Sequence, residues 1–469
     1  MKLDRIKTMP HASTQRCQPN RSKAKSPCFF KSSLGWLAIV VATLRLSLPA
    51  WADDYESKPS DSYFAIFNPR KAPDTGLLLL HPGDRLAIIG DSITEQKMYS
   101  RIVETYLTVC VPELKITARQ FGWSGETAEG FRKRMSQDCL RFQPTVATLC
   151  YGMNDSRYRP FDCLNGEWYQ SNYTAVVHGL KNAGARVVLG SPGCTGKVPH
   201  WVKGKEGTLD ELNLNLCTLR DLDIGIARQE DTRFADVFWT MFKAGFEGQK
   251  KYTKPEQSYE ISGKDGVHPD WAGHLVMAYT FLRSMGLDGN IGTLTIDMGK
   301  QTATASSGHI VESFTNSELT VVSTKYPFCV TGESNRDNSI RSGTTLVPFF
   351  QDLDRFLLVV TNAMAVQYQV TWGTETNIYS AAQLAAGVNL AEDFKVNPFL
   401  EAFQRVDEAV AAKQAYETVQ IKKIFHGPEG AADLEKAVGR TESERTLIAS
   451  AIADAMRSVR HTIRIQAIQ

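Results

Sequence analysis

Five short apolar runs, separated by segments long enough to form helices, constrain the fold of this 469-residue chain more than any other feature of its sequence. The candidate strands are residues 85–89, 114–118, 146–150, 186–189 and 233–237. Parallel strands need crossover connections of about a dozen residues or more, which are usually helical. The alternation therefore predicts a three-layer α/β unit with a parallel sheet and helices on both faces.

A helix with apolar residues at helical spacing is expected from Asp270 to Met285, and Gly286 is placed to end it. Beyond Asn290 the pattern changes to alternating runs rich in Thr and Val, such as residues 319–323, 356–361 and 368–372, which are typical of antiparallel strands. The second half of the chain therefore begins with a β-rich region.

Helical patterns return at Ser380, where Ser380 and Gln383 form the sequence signature of a capping box. A second box, Thr441 with Glu444, is expected to start the last helix of a tail that runs to the end of the chain. We predict an α/β domain followed by a β-rich region and a helical C-terminal tail.

The first 52 residues differ from the rest in charge and hydropathy. They contain nine Lys or Arg and one acidic residue, then the apolar run 34–44, then Ala50-Trp-Ala52. This order predicts a secretory signal peptide cleaved after Ala52, and hence a periplasmic or extracellular protein. The alternative is an uncleaved anchor, but the eleven apolar residues end before Arg45, and a bilayer span needs about 20.

These patterns divide the chain into five parts. They are a signal peptide (1–52), a polar lead-in (53–80), a catalytic domain (81–290), a β-rich accessory region (291–379) and a helical C-terminal region (380–469). After the signal peptide, 44 basic and 50 acidic residues remain of the 53 and 51 in the whole chain. A mildly acidic chain offers no broad basic surface, so nucleic acid is not an expected partner.

Cysteine usage allows disulfides but no recognisable metal site. Seven of the nine cysteines follow the predicted signal peptide, and pairs among Cys139, Cys150, Cys163 and Cys194 are plausible in an exported protein. The chain contains neither CxxC nor HExxH, so a structural zinc site or a zincin-type centre is not expected. We predict no cofactor.

Four segments carry the residue types that acyl transfer needs. Ester hydrolysis at neutral pH requires a hydroxyl activated by a base, a group that orients the base, and donors for the developing oxyanion. The segments are residues 88–94 (IIGDSIT), 121–127 (FGWSGET), 151–155 (YGMND) and 265–269 (DGVHP). The first three follow predicted strands, and the carboxyl ends of parallel strands share one edge of the sheet.

Ser92 is the candidate nucleophile, although Gly-Asp-Ser alone is a weak signal because Asp91 or Ser92 could equally cap a helix. Asp265 precedes His268 by three residues, which lets the carboxylate hold one ring nitrogen while the other faces Ser92. A histidine beside proline is by itself more often an ordinary loop residue. Its place as the last of an ordered set of four favours a catalytic base.

In content and order, the four segments resemble the signature blocks of the SGNH/GDSL hydrolase family, over roughly residues 80–290. That resemblance implies a flavodoxin-like α/β/α fold and a Ser92–His268–Asp265 triad. It also implies an oxyanion hole formed by the backbone N–H groups of Ser92 and Gly125 and the side-chain amide of Asn154.

Two details of the match concern the glycine of the second block and the residue after Ser92. Gly125 matches the family's second block better than Gly122, which is expected to serve a backbone turn. Ile93 stands where GDSL has leucine.

The expected activity is hydrolysis of short-chain esters, with acetyl groups on carbohydrate as the favoured class. The expected partner is a small-molecule or polysaccharide ester. Lipase or lysophospholipase activity, acyl transfer to a sugar hydroxyl, and a non-catalytic glycan-binding surface protein are the alternatives. An α/β-hydrolase is excluded because no GxSxG occurs. Trp123, Trp168, Tyr169 and Trp201 are expected either to stack on sugar rings at the rim or to pack in the core.

Overall fold

In a computed structural model of the chain, the structure describes residues 55–203 and 206–468. The predicted signal peptide, residues 1–52, lies outside the described residues. Tyr55 onward forms one compact unit. None of the described helices combines the length and apolarity needed to cross a membrane.

A five-stranded parallel sheet forms the centre of the first half of this unit. Its strands are β1 (Arg85–Gly90), β2 (Thr117–Gln120), β3 (Val146–Cys150), β4 (Arg186–Gly190) and β5 (Arg233–Ala235). They lie in the order β2-β1-β3-β4-β5, and every adjacent pair is parallel. This is the flavodoxin-like order, in which the strand order reverses between β1 and β3 while all strands remain parallel. The predicted fold class is confirmed.

Seven helices belong to this half: α1 (Ser92–Glu95), α2 (Tyr99–Val109), α3 (Ala128–Asp138), α4 (Cys163–Asn182), α5 (Leu209–Glu230), α6 (Val237–Tyr252) and α7 (Trp271–Ser284). Helix α7 begins after an Asp270 cap, and Gly286 follows it with φ +80°. The sheet residues are almost entirely buried, as expected for parallel strands covered on both faces.

Two further sheets follow. Their strands are β6 (Asn290–Asp297), β7 (Thr302–Ala305), β8 (His309–Thr315), β9 (Glu318–Ser323), β10 (Arg355–Thr361), β11 (Gln367–Trp372), β12 (Glu375–Ser380), β13 (Val388–Asn389) and β14 (Val459–Ile468). One sheet has the order β13-β10-β6-β7 and the other β12-β11-β14-β9-β8. The expectation of antiparallel strands is confirmed except at β10, which pairs with β6 in parallel.

The remaining helices are α8 (Ile340–Gly343), α9 (Phe349–Leu353), α10 (Ala381–Ala386), α11 (Leu390–Asp393), α12 (Leu400–Val419), α13 (Pro428–Ala432) and α14 (Leu434–Ala455). A π-helical turn, Gln420–Phe425, extends α12. The Ser380–Gln383 capping box forms at the start of α10.

Two expectations about the C-terminal helices are wrong. Thr441 does not begin a helix: it lies inside α14, and its buried hydroxyl donates to the carbonyl of Ala437. The tail also does not remain helical, because β14 inserts between β9 and β11 and completes their sheet. Alternating burial along β14, with Ile463 and Ile465 in the core, explains why its last residues form a strand.

Strand β2 is an edge strand, and helix α12 covers its open side. The Lys413 ammonium donates to the carbonyl of Ala118 at 2.6 Å, and Glu417 accepts from the backbone N–H of Gln120 at 3.0 Å. Side chains thereby pair backbone groups that a sheet edge would otherwise leave open. The C-terminal helices are thus packed directly on the catalytic sheet.

The expected disulfides among Cys139, Cys150, Cys163 and Cys194 are wrong. Cys139, Cys150 and Cys194 are free and buried, so no pair within that set can form. Each is a small apolar side chain in the core, which is a common role for cysteine.

Candidate active site

Ser92, His268 and Asp265 form a continuous hydrogen-bonded line. The Oγ of Ser92 lies 2.8 Å from Nε2 of His268, and Nδ1 of His268 lies 2.7 Å from Oδ2 of Asp265. The other carboxylate oxygen of Asp265 accepts from the backbone N–H groups of Val267 and His268, both at 2.9 Å. The carboxylate therefore fixes both the backbone turn and the imidazole.

The charge of Asp265 is favoured in this position. Burial acts to raise its pKa, but the hydrogen bonds from His268 and Val267 outweigh burial and hold the pKa below its usual value. An ionised Asp265 keeps the proton of the neutral imidazole on Nδ1, which leaves Nε2 free to accept the proton of Ser92.

Ser92 lies just beyond the carboxyl end of strand β1, at the first residue of α1. Asp91 caps the single turn α1, accepting from the backbone N–H of Ile93 at 2.9 Å. Within the described part of the chain, no acceptor bonds the backbone N–H of Ser92 or that of Gly125. Two backbone donors are therefore available at the positions expected for an oxyanion hole.

Two glycines of the second segment have different roles. A Cβ on Gly122 would lie 2.2 Å from the backbone nitrogen of Glu95, so only glycine lets this loop lie flat against α1. Gly125 has φ +74° in the turn closed by the bond from the Glu126 N–H to the Trp123 carbonyl, and nothing lies within 4 Å of the position of its Cβ. Gly122 sets the approach of the loop, and Gly125 faces open space.

Asn154 reaches the same edge from the end of β3. Its Nδ2 donates to the carbonyl of Glu126 at 3.0 Å and lies 3.4 Å from Oδ2 of Asp91, while its Oδ1 accepts from the hydroxyl of Tyr158 at 3.1 Å. The carbonyl of Glu126 and the carboxylate of Asp91 are acceptors, so they identify which end of the amide carries the donors. Asn154 is thus held between the segments that carry Gly125 and Ser92.

The buried carboxylate of Asp155 ties the second and third segments together. It accepts from the backbone N–H groups of Ala128 and Gly152, both at 3.0 Å. Burial raises the pKa of Asp155 to about 7, and it also raises that of Asp91 to about 7.

Two aromatic side chains, Trp201 and Tyr158, lie beside His268. The ring of Trp201, which is 38% exposed, lies 5.8 Å from that of His268 and meets Tyr158 edge-on at 6.1 Å. Tyr169, by contrast, is fully buried in α4. Of these two expected rim aromatics, Trp201 lies at the site and Tyr169 packs in the core.

The matching family profile is the GDSL-like Lipase/Acylhydrolase family, over residues 88–276. That range contains all four sequence segments and the triad. Residues 88–276 therefore form a domain of the SGNH/GDSL hydrolase family. The chain is accordingly a hydrolase of ester bonds.

This SGNH hydrolase is similar to an acetylxylan esterase of Geobacillus stearothermophilus, with 26% identity over 224 residues, which cover 44% of this chain and 95% of the relative. Its fold is similar to that of a gut microbial diltiazem-metabolizing enzyme, with 21% identity and a TM-score of 0.66 over 84% of this chain and all of that one. The structural likeness extends well beyond the catalytic segments.

Several residues at the site of this SGNH hydrolase carry no clear signal in the sequence. Tyr158 and Trp201 lie on loops without a motif, and Lys422 contacts the site from 327 positions away along the chain. Asp155 directly follows Asn154, a predicted oxyanion donor. That position is the one feature of the sequence that could have pointed to Asp155. Among the described residues, no cluster of His, Cys, Asp and Glu is suited to hold a metal ion.

Proposed function

We propose that this chain is an exported serine esterase that removes short acyl groups, acetyl foremost, from carbohydrate. Ser92 is the nucleophile, His268 the general base and Asp265 the residue that orients it. The observation that carries the proposal is the unbroken contact from Ser92 through His268 to Asp265, at 2.8 and 2.7 Å, beside backbone donors that have no described acceptor.

The reaction proceeds in two steps. His268 takes the proton of Ser92 as its oxygen attacks the ester carbonyl, and the N–H groups of Ser92, Gly125 and Asn154 stabilise the oxyanion. Collapse expels the alcohol, which receives the proton from His268, and leaves an acyl-enzyme. A water molecule activated by His268 then attacks the acyl carbon and releases the acid, which restores Ser92.

A carbohydrate ester is supported by the surroundings of the triad. The side chains of His268 and Asp265 are 28% and 29% exposed, so the site is open to a bulky alcohol portion of the substrate. Trp201 offers an exposed ring beside His268, and aromatic faces stack well on the apolar faces of sugars. The similarity to an acetylxylan esterase agrees with this substrate class.

Export is the remaining part of the proposal and depends on residues 1–52 alone. N-terminal sequencing of the protein from a culture supernatant or periplasmic extract tests it, with Asp53 expected as the first residue.

The central test is a panel of p-nitrophenyl esters of increasing acyl length, together with acetylated xylo-oligosaccharides, on wild type and Ser92→Ala. We expect turnover to be highest for acetyl and to be lost in Ser92→Ala, together with labelling by a fluorophosphonate probe. Turnover that survives in Ser92→Ala would refute the nucleophile.

The role of Asn154 has its own test. Removing one oxyanion donor typically costs about 2.7 to 4 kcal/mol in the barrier, so Asn154→Ala should lower kcat by roughly a hundredfold or more. Near-normal turnover in this variant would remove Asn154 from the oxyanion hole.

A further inference from the structure

The loop that carries Gly125 is held from two sides. On one side, Arg134 of α3 donates to the carbonyl of Phe121 at 2.7 Å and pairs with both carboxylate oxygens of Glu126, at 2.6 and 2.7 Å. On the other side, the backbone N–H of Ser124 donates to Oε2 of Glu95 at 2.5 Å. Glu95 is the last residue of α1, the turn that begins with Ser92.

Glu95 is in turn held by the C-terminal region. The ammonium of Lys422 lies 2.7 Å from Oε1 and 2.9 Å from Oε2 of Glu95. Both side chains are about four-fifths buried, with 21% and 19% exposed. Burial acts to raise the pKa of Glu95, but the hydrogen bonds from Lys422 and Ser124 outweigh it and hold the pKa below its usual value. The carboxylate is thus kept charged where it meets the loop.

The same part of the C-terminal region also contacts Trp123, the residue before Ser124. Nζ of Lys422 lies 5.1 Å from the centre of the Trp123 ring, and the imidazole of His426 meets the ring edge-on at 5.0 Å. Nε2 of His426 lies 2.8 Å from a carboxylate oxygen of Asp138, at the end of α3. Lys422 and His426 therefore contact the loop and its neighbours on both sides.

The backbone around Lys422 is adapted to this contact. Lys422 lies in the π-helical turn Gln420–Phe425. Wider turns of this kind are rare and are found frequently at functional sites. Here the turn directly follows α12, whose Lys413 and Glu417 lie along the edge strand β2, so the contact with the loop continues the packing on that strand.

We propose that Lys422 is a positioning residue for the oxyanion hole: through Glu95 it holds the Ser124 N–H, and with it the adjacent Gly125 N–H, in the geometry that the transition state requires. The proposal rests on the assignment of Gly125 in the proposed function. It makes the C-terminal region a working part of the esterase site, although Lys422 itself does not touch the reacting atoms.

Lys422→Met tests this relationship because methionine keeps most of the side-chain length and removes the charge. Misplacement of catalytic groups by about 1 Å can cost on the order of a hundredfold in rate, so we expect kcat for p-nitrophenyl acetate to fall by about tenfold or more. KM should change by less than about twofold, because the oxyanion forms in the transition state. The rate of fluorophosphonate labelling should fall in parallel.

Two variants serve as controls. Lys423→Met alters the next residue of the same turn, which is exposed, and should match wild type. Lys422→Arg restores a cation that can donate to both oxygens of Glu95, and should recover most of the lost kcat. Every variant is assayed well below its own thermal midpoint, which separates a positioning effect from unfolding.

The outcomes are distinct. Loss of kcat in Lys422→Met with recovery in Lys422→Arg supports the proposal. A kcat in Lys422→Met equal to that of Lys423→Met overturns it, as does a loss that Lys422→Arg fails to recover. Failure of the proposed function would be seen in wild type itself, which would then show no turnover or fluorophosphonate labelling that depends on Ser92.

Discussion

The carboxylate of Glu417 accepts a hydrogen bond from the backbone N–H of Gln120, in the edge strand of the catalytic sheet. Oε2 of Glu417 lies 3.0 Å from the Gln120 nitrogen. Its other oxygen receives Lys413 at 2.9 Å and Arg445 at 2.7 Å, and the side chain is fully buried. These cations outweigh burial and hold the pKa of Glu417 below its usual value. A C-terminal carboxylate therefore completes the edge of the sheet that carries the catalytic site.

Glu417→Ala should destabilise the whole unit strongly. Removing one partner of a buried ion pair leaves the others uncompensated and typically costs about 3 to 5 kcal/mol in the free energy of unfolding. Urea unfolding followed by fluorescence measures the change, and Glu408→Ala, at an exposed position of the same helix, is the control. Equal midpoints for the two variants would show that Glu417 is not needed for docking.

Asp265→Asn should lower kcat by about a hundredfold to ten-thousandfold, because the amide no longer favours the imidazole tautomer that accepts from Ser92. Initial rates on p-nitrophenyl acetate measure the loss, and Lys264→Ala, at an exposed neighbouring position, is the matched control. A kcat within about twofold of wild type would contradict the assigned role.

The two glycines of the second segment should respond differently to alanine. Gly122→Ala forces a Cβ against the backbone of α1 and should lower the thermal midpoint or prevent folding. Gly125→Ala has open space around the new methyl but strains a positive φ, so it should fold and lose mainly kcat. Soluble yield, melting and kcat compared side by side test the contrast, and the reverse pattern would refute it.

Acid should weaken the fold through a buried chain of hydrogen bonds in the β-rich region. The indole N–H of Trp372 donates to Nδ1 of His461 at 3.1 Å, so the ring proton of His461 lies on Nε2, 2.9 Å from Oγ of Ser323. That hydroxyl is 2.7 Å from Nδ1 of His309, whose Nε2 lies 3.0 Å from the carbonyl of Ile291. Both histidines are therefore neutral.

Burial lowers the pKa of His461 to about 3, whereas in the unfolded chain it titrates near 6.5. Between these values the unfolded chain binds a proton that the native chain does not, so stability falls as pH decreases from about 6.5 toward 3, by up to about 1.4 kcal/mol per pH unit for one such group.

His461→Gln tests this source of acid sensitivity, because glutamine can accept from Trp372 and donate to Ser323 without titrating. Urea midpoints at pH 7.5 and pH 5 should differ less in the variant than in wild type. An equal loss of stability in both proteins would exclude His461 as the source.

Sequence alone determined the α/β order and the four segments, because both depend on local patterns. Apolar strands alternate with helices along the chain, and parallel strands bring their carboxyl ends to one edge whatever the rest of the protein does. Ser92, Asn154 and the Asp265–His268 turn could therefore be named before their distances were known.

Only the tertiary structure decided which distant residues support that site. It also buries His309 and His461 in β8 and β14, although no motif in the sequence marks either histidine. Lys422 meets Glu95 across 327 positions of sequence. Periodicity reports which face of an element is apolar, but it does not report which other element will cover that face. Packing of the C-terminal helices on β2 makes that choice, and it brings Lys422 to the loop of Gly125.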